Sequence, residues 1–181
     1  MQPGPLRIEP IAGYAPIIGR LVGMLTYARS TTLRAVDGLT MTELDHLHDA
    51  DSNSIGALLA HITTVERSYQ LLTFEGRVPS PDETARWAPA LELGASGRAS
   101  LRGKPLGEYL EELATVRGAT LAALATRDDE WLERGLAPAP RINAHWAWFH
   151  VMEDEVNHRG QMRWLRARLP ARTSATISAN A

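Results

Sequence analysis

The chain has 181 residues, 44% of them apolar, which is enough for one domain with a sizeable core and leaves little room for a second. Its 19 basic and 21 acidic residues give a net charge of −2, so the overall charge does not attract it to nucleic acid or to an anionic membrane surface. The lack of cysteine excludes disulfides, thiolate metal sites and a cysteine nucleophile.

The sequence has no pattern typical of a secretory leader or of a membrane span. Its first residues lack a basic stretch followed by an apolar one, and no apolar run approaches the roughly 18 residues that a spanning helix needs. We therefore expect a cytoplasmic protein whose partners include neither nucleic acid nor membrane.

Four long segments have the three- and four-residue apolar spacing that is typical of amphipathic helices. They cover about residues 11–36, 54–74, 106–126 and 143–169. Residues 52–54 can cap the second helix and Asn143 the fourth, because their side-chain oxygens can accept hydrogen bonds from free amides of the first turn. On the fourth helix, the residues predicted to face the core are Trp146, Phe149, Met152, Val156, Met162, Leu165 and Leu169.

The connections between these helices are long. Residues 37–53 contain a capping-box pattern, Thr40-x-x-Glu43, which predicts one short helical turn. Residues 76–105 are rich in proline and glycine and are predicted as a loop or crossover, and residues 127–142 form a third connection. No useful strand alternation is present. The pattern predicts an all-α four-helix bundle with a long crossover connection, a single domain over residues 1–170 and a loose tail over 171–181.

The histidines suggest a metal site on the fourth helix. His150, Asp154 and His158 are spaced four and four, and each such step turns about 40° and rises about 6 Å, so neighbours share a face. His150 and His158 are about 12 Å apart, too far to bind one ion together. The helix therefore offers either Asp154 with His158 or His150 with Asp154.

A third ligand would come from another helix, and His61 is the candidate. It lies within the apolar stripe of the second helix, where a buried imidazole needs a partner. Glu66, five residues later, could orient a ligand or accept a proton. The alternative is that Asp154 and His158 form an ordinary surface pair, which is the more common meaning of this spacing alone.

Two segments resemble motifs of the DinB/YfiT-like metalloenzyme superfamily. The segment from His150 to Gln161, which ends in His-Arg-Gly-Gln, resembles the family's last-helix motif, and the segment from Ser54 to His61 resembles its second-helix motif. The resemblance covers about residues 10–170. It departs at Asp154, where the family usually has a histidine, and His150 is the alternative ligand one turn earlier.

The resemblance implies a bundle with a three-residue metal site, formed here by His61, Asp154 and His158, and a frequent homodimer. It also implies a transferase or isomerase that uses a low-molecular-weight thiol such as mycothiol or bacillithiol. Two imidazoles and a carboxylate suit Zn, Ni, Mn or Fe(II).

The leading functional hypothesis is a metal-dependent thiol S-transferase acting on a small-molecule substrate. Glu66 or His150 is its acid–base candidate, and Arg159 and Trp146 are the candidates for binding substrate. Arg159 could equally be a solvated arginine, and aromatic residues such as Trp146 more often belong to a core. A metal-assisted hydrolase and a non-catalytic, stress-related metal-binding protein are the alternatives.

Overall fold

The computed structural model of the protein describes residues 7–171. Its four long helices are α1 Pro16–Val36, α3 Ile55–Gln70, α6 Leu106–Leu124 and α8 Ala144–Arg166. α1 packs against α8 and α6, and α3 packs against α8 and α6. This arrangement confirms the predicted all-α four-helix bundle. The predicted tail, apart from residue 171, lies outside the described residues.

The starts of these helices follow from local chemistry. The Ser54 hydroxyl accepts a hydrogen bond from the amide of Ala57 at the start of α3, and the Asn143 side chain accepts one from the amide of Trp146 at the start of α8. α3 continues as a π-helical turn, Leu71–Glu75, and ends at Gly76 in the left-handed region, with φ 66°.

Three helices lie in the first two connections, all of which the structure describes. α2 Met41–Leu44 has the predicted capping box between Thr40 and Glu43. The segment 76–105, predicted as a loop or crossover, contains α4 Pro81–Glu92 and α5 Gly94–Ser100. Ser80 and Glu83 form a second capping box at the start of α4, which stabilises a helix in a sequence otherwise rich in helix breakers.

The third connection holds α7 Asp129–Glu133 and an antiparallel hairpin of β1 Gly135–Leu136 and β2 Ala139–Asn143. These strands have two and five residues, which is too short for an alternating pattern to be recognised in the sequence. β2 leads directly into α8 and fixes the position where this helix begins.

The core has two apolar clusters with a polar layer between them. Along α8, Trp148 and Val151 belong to one cluster and Met162 and Leu165 to the other. The intervening turns carry buried polar side chains, including Glu155, and this layer contains the candidate site.

The predicted core face of α8 is partly wrong. Trp146, Phe149 and Val156 are exposed, and the helix instead buries Ala144, Ala147, Trp148, Val151, Glu155, His158, Met162 and Leu165. The buried face includes the carboxylate of Glu155 and the imidazole of His158, which have hydrogen-bond partners inside the protein. A prediction based on apolar residues alone therefore chooses the wrong side of the helix. Within residues 7–171, no helix combines the length and apolarity needed to cross a membrane.

Candidate metal centre

The contact between α3 and α8 brings together the three predicted ligands, His61, Asp154 and His158. Asp154 Oδ1 lies 3.5 Å from His61 Nε2 and 3.3 Å from His158 Nε2. The two imidazole centroids are 4.6 Å apart. One ligand atom from each residue lies within 4.8 Å of the other two, which is a spacing that one metal ion could bridge.

The site is nearly closed to solvent, since the three side chains are only 11% to 13% exposed. Asp154 Oδ2 is buried and has no hydrogen-bond partner among the described residues. Leaving a buried carboxylate oxygen unpaired is costly, and a bound cation would satisfy it. The residues present therefore fit a divalent metal ion.

The outer nitrogen of each imidazole has a hydrogen-bond acceptor. His61 Nδ1 lies 2.7 Å from the carbonyl oxygen of Ala90, and His158 Nδ1 lies 3.2 Å from Gln161 Oε1. With Nδ1 as the donor in both bonds, a neutral imidazole has its lone pair on Nε2, where it can bind a metal ion, and a protonated one can instead donate from Nε2 to Asp154. Metal-binding histidines are usually oriented in this way by an acceptor behind the ring.

The electrostatics of the site favour a negative carboxylate beside positive partners. Burial raises the pKa of Asp154, but hydrogen bonds from His158 and His61 outweigh it and hold that pKa well below its ordinary value. Burial lowers the pKa of His61, while Asp154 and the Ala90 carbonyl raise it, and the net result is a raised pKa. The site therefore attracts positive charge, whether carried by protons or by a metal ion.

His150 and Trp146 lie one and two turns before Asp154 on α8. The ring of His150 stacks on Trp146, with centroids 4.9 Å apart, and its Nδ1 lies 3.2 Å from a carboxylate oxygen of Glu153. His150 is not part of the group of possible ligands. Of the two alternatives left open by the sequence, Asp154 with His158 is the pair that meets His61.

Tyr69 is a neighbour of the site that was not among the predicted site residues. Its ring makes an edge contact with His150, with centroids 5.7 Å apart. Burial raises the pKa of Tyr69, and the charge of Asp154 raises it further. Tyr69 lies two turns after His61 on α3. The four-residue spacing of positions 61, 65 and 69 puts Tyr69 on the same face of the helix as His61, and this spacing could have identified it.

Glu66 lies in a separate, fully buried ion-pair cluster. Its Oε1 accepts hydrogen bonds from Arg117 Nε and Thr120 Oγ1, both at 2.7 Å, and its Oε2 accepts one from Arg29 at 2.9 Å. Glu155 completes the cluster by binding both arginines. The contacts of Glu66 are those of a structural residue, and its predicted acid–base role stays a prediction.

Arg159 connects α8 to α1, because its guanidinium donates a hydrogen bond to the Thr31 hydroxyl. This contact joins two helices and involves none of the three candidate ligands. Its predicted part in binding an anionic substrate group stays a prediction.

Comparison with known proteins identifies the family of the chain and shows a solved structure with the same fold. The family model described as mycothiol-S-transferase matches residues 20–171. A solved structure titled "Crystal structure of the conserved protein of locus from Enterococcus faecalis" aligns with a TM-score of 0.62 and 16% identity, over 82% of this chain and 94% of that chain. Identity at that level shows a common fold alone. No curated protein matches the chain.

Proposed function

The chain belongs to the mycothiol-S-transferase family, and on that premise we propose that it is a metal-dependent thiol S-transferase acting on small electrophiles. The observation that carries the proposal is the convergence of His61, Asp154 and His158, together with the buried Oδ2 of Asp154, which lacks a hydrogen-bond partner among the described residues. Family membership supplies the reaction class, and the donor set supplies the reason for a metal.

Two imidazoles and one carboxylate would hold Zn, Ni, Mn or Fe(II) and leave further coordination positions available. A metal ion bound there would lower the pKa of a thiol and so supply a thiolate nucleophile at neutral pH. The protein's own contribution is to orient the ligands through Ala90 and Gln161 and to limit access of water to the nearly closed site.

The position of His150 makes it a better acid–base candidate than Glu66. It is partly exposed, lies one turn from Asp154 and contacts both Trp146 and Tyr69. An imidazole in this position can take up the thiol proton and return it to solvent. Trp146 is 44% exposed and covers one face of His150, which supports its proposed contact with substrate.

A conjugation assay tests the proposal. Metal-loaded and chelator-treated protein would be supplied with mycothiol, bacillithiol, glutathione or cysteine and with a chlorodinitrobenzene. The transfer forms a bond between the thiol sulfur and a ring carbon and releases chloride. The absorbance of the conjugate measures the reaction. We expect metal-dependent turnover with at least one thiol and none with His61→Ala.

The alternatives give different results in the same assay. Ester hydrolysis that depends on metal but not on thiol would replace the proposal with a metal-assisted hydrolase. Metal binding without turnover of any thiol or ester would replace it with a non-catalytic metal-binding protein.

We also propose a homodimer, as the family resemblance implies, and a cytoplasmic location. Trp146, Phe149 and Val156 form an exposed apolar stripe along α8, and such a stripe on a surface helix is a common feature of protein interfaces. Light scattering during gel filtration would give the mass of the assembly, and a monomer at micromolar concentration would overturn the dimer.

A further inference from the structure

A second cavity, of about 600 Å³, lies between α3, α4 and the segment that leads into α6. Four cationic side chains line it: Arg67, Arg86, Arg102 and Lys104. Its single carboxylate belongs to Glu112. None of the three candidate metal ligands lines this cavity, but Ala90 does, and its carbonyl oxygen lies 2.7 Å from His61 Nδ1, so the cavity borders the metal centre without including its ligands.

The positive charge of this cavity is largely uncompensated. Glu112 is paired with Lys104 at 2.6 Å, and within residues 7–171 no carboxylate lies within 4.0 Å of the guanidinium nitrogens of Arg67, Arg86 or Arg102. Arg86 and Arg102 are exposed and Arg67 is half-buried, so the three guanidiniums are accessible to a ligand. Arg67 also faces the glutamates of a neighbouring cavity, so the local field that attracts anions comes mainly from Arg86 and Arg102.

The remaining wall of the cavity is mostly apolar and aromatic, with the two hydroxyl side chains of Thr64 and Ser100. Trp87 and Tyr109 line it together with Ala60, Ala90 and Leu101. The ammonium group of Lys104 lies 4.6 Å from the centroid of Tyr109, so this part of the wall already contacts one cation. A ligand that filled the cavity would combine an apolar, planar body with negative groups at its edge.

We propose that this cavity binds a small organic anion that carries an aromatic ring and two or more carboxylate or phosphate groups. Guanidinium groups suit both anions, because they donate paired hydrogen bonds to two oxygens. A smaller neighbouring cavity shares Arg67 but is lined by Glu108, Glu111 and Glu112, and its acidity would repel the same ligand. Arg86 and Arg102 therefore distinguish the proposed site from its neighbour.

Calorimetric titration with benzene-1,3,5-tricarboxylate tests the proposal directly. We expect one site per chain and a dissociation constant that rises about tenfold in Arg86→Gln/Arg102→Gln, because two charge-assisted contacts are lost. Arg20→Gln/Arg34→Gln is the charge-matched control, since both arginines are exposed on α1 away from the cavity, and it should bind like the wild type. Added salt should weaken binding.

Pyrophosphate and benzamide separate the contributions of charge and ring. We expect pyrophosphate to bind more weakly than the tricarboxylate and benzamide not to bind. Trp87 indole signals, assigned with Trp87→Phe, should shift in NMR spectra when the tricarboxylate is added. Failure of the tricarboxylate to bind at about 1 mM, or equal weakening in the control variant, would overturn the proposal.

The test is independent of the proposed transferase activity because it uses neither metal nor thiol. Asp154→Ala should keep its affinity for the tricarboxylate while losing the metal, since the ion-pair partners of Asp154 do not line the cavity. Loss of tricarboxylate binding in folded Asp154→Ala would show that the anion occupies the metal centre, and the separate site would be rejected.

Discussion

His61 on α3 and Asp154 on α8 approach each other with Nε2 and Oδ1 3.5 Å apart, so the candidate metal centre joins two helices that are distant in sequence. His158, one turn further along α8, is 3.3 Å from the same oxygen. A change in the relative register of α3 and α8 by one turn, about 5.4 Å, would separate these atoms beyond the reach of a single ion. The metal site therefore depends on how these two helices pack.

Replacing His61 should abolish metal binding without unfolding the protein. His61→Ala removes the only candidate ligand that α3 contributes, and the two ligands left on α8 make a weak site. Elemental analysis of protein purified without a nickel column should find stoichiometric metal in the wild type and almost none in the variant. The helical circular dichroism signal should be unchanged.

His150→Ala is the matched control for that experiment. It removes an imidazole of the same size, one turn from Asp154 but outside the possible ligand group. We expect it to retain the metal and to lose thiol conjugation. Full metal content in His61→Ala, or loss of metal in His150→Ala, would show that the ligands are assigned incorrectly.

Gln161 should strengthen metal binding through its contact with His158, although it is not a candidate ligand. Its Oε1 lies 3.2 Å from His158 Nδ1 and so orients the ring. Removal of such a partner typically weakens metal binding about 10- to 100-fold, so competition with a chromogenic chelator should show a loss of this size in Gln161→Ala. Asn157→Ala, on the same helix, should bind like the wild type, and an equal loss there would point to a general effect on α8.

The sequence was sufficient to predict the long helices and the shared face of Asp154 and His158, because both depend on local spacing, whereas the choice of this pair with His61 as ligands depended on the family resemblance. Ser54 and Asn143 cap their helices as predicted, and Asp154 and His158 share a face because they are four residues apart. The partner of His61 Nδ1 could not be predicted in this way. It is a backbone carbonyl, that of Ala90, in a helix whose position depends on tertiary packing.

Glu66 shows the other limit of sequence reasoning. Five residues from His61, it was predicted to act at the metal site, whereas its carboxylate contacts Arg29 and Arg117. Both arginines come from other helices, and no spacing along one helix identifies them. Burial of these charges also explains why the apolar stripe of α8 was misassigned, since Glu155 takes a core position in the same cluster.

Glu66→Gln should destabilise the fold strongly. The substitution removes the negative charge that two buried guanidiniums share, and loss of one partner from a buried ion pair typically costs about 3–5 kcal/mol. Urea denaturation would measure the loss in the free energy of unfolding. Glu9→Gln, which removes the exposed partner of Arg7, should leave that free energy nearly unchanged.

The Glu66 cluster should also make the free energy of unfolding decrease at acidic pH. Burial raises the pKa of Glu66, but Arg117 and Arg29 outweigh it and hold that pKa below its ordinary 4.5. The stabilisation is therefore complete above pH 4.5 and is lost as the pH falls through the lower pKa of the folded state. Unfolding of Glu66→Gln should depend less on pH in this range, and an equal slope in both proteins would contradict the cluster's role.

Ionisation of Tyr109 should lower the free energy of unfolding at alkaline pH. Burial, with the charges of Asp45, Glu112 and Glu108, raises the pKa of Tyr109 from 10.0 to about 12. The unfolded chain therefore loses this proton first, so the contribution of the neutral ring is complete below pH 10 and declines as the pH rises to about 12. Urea denaturation of the wild type should show a steeper fall in the free energy of unfolding across that range than Tyr109→Phe, which has no proton to lose. Because the phenylalanine keeps the buried ring, a difference in slope isolates the ionisation, and identical slopes would mean that Tyr109 ionises in the folded protein as readily as in the unfolded chain.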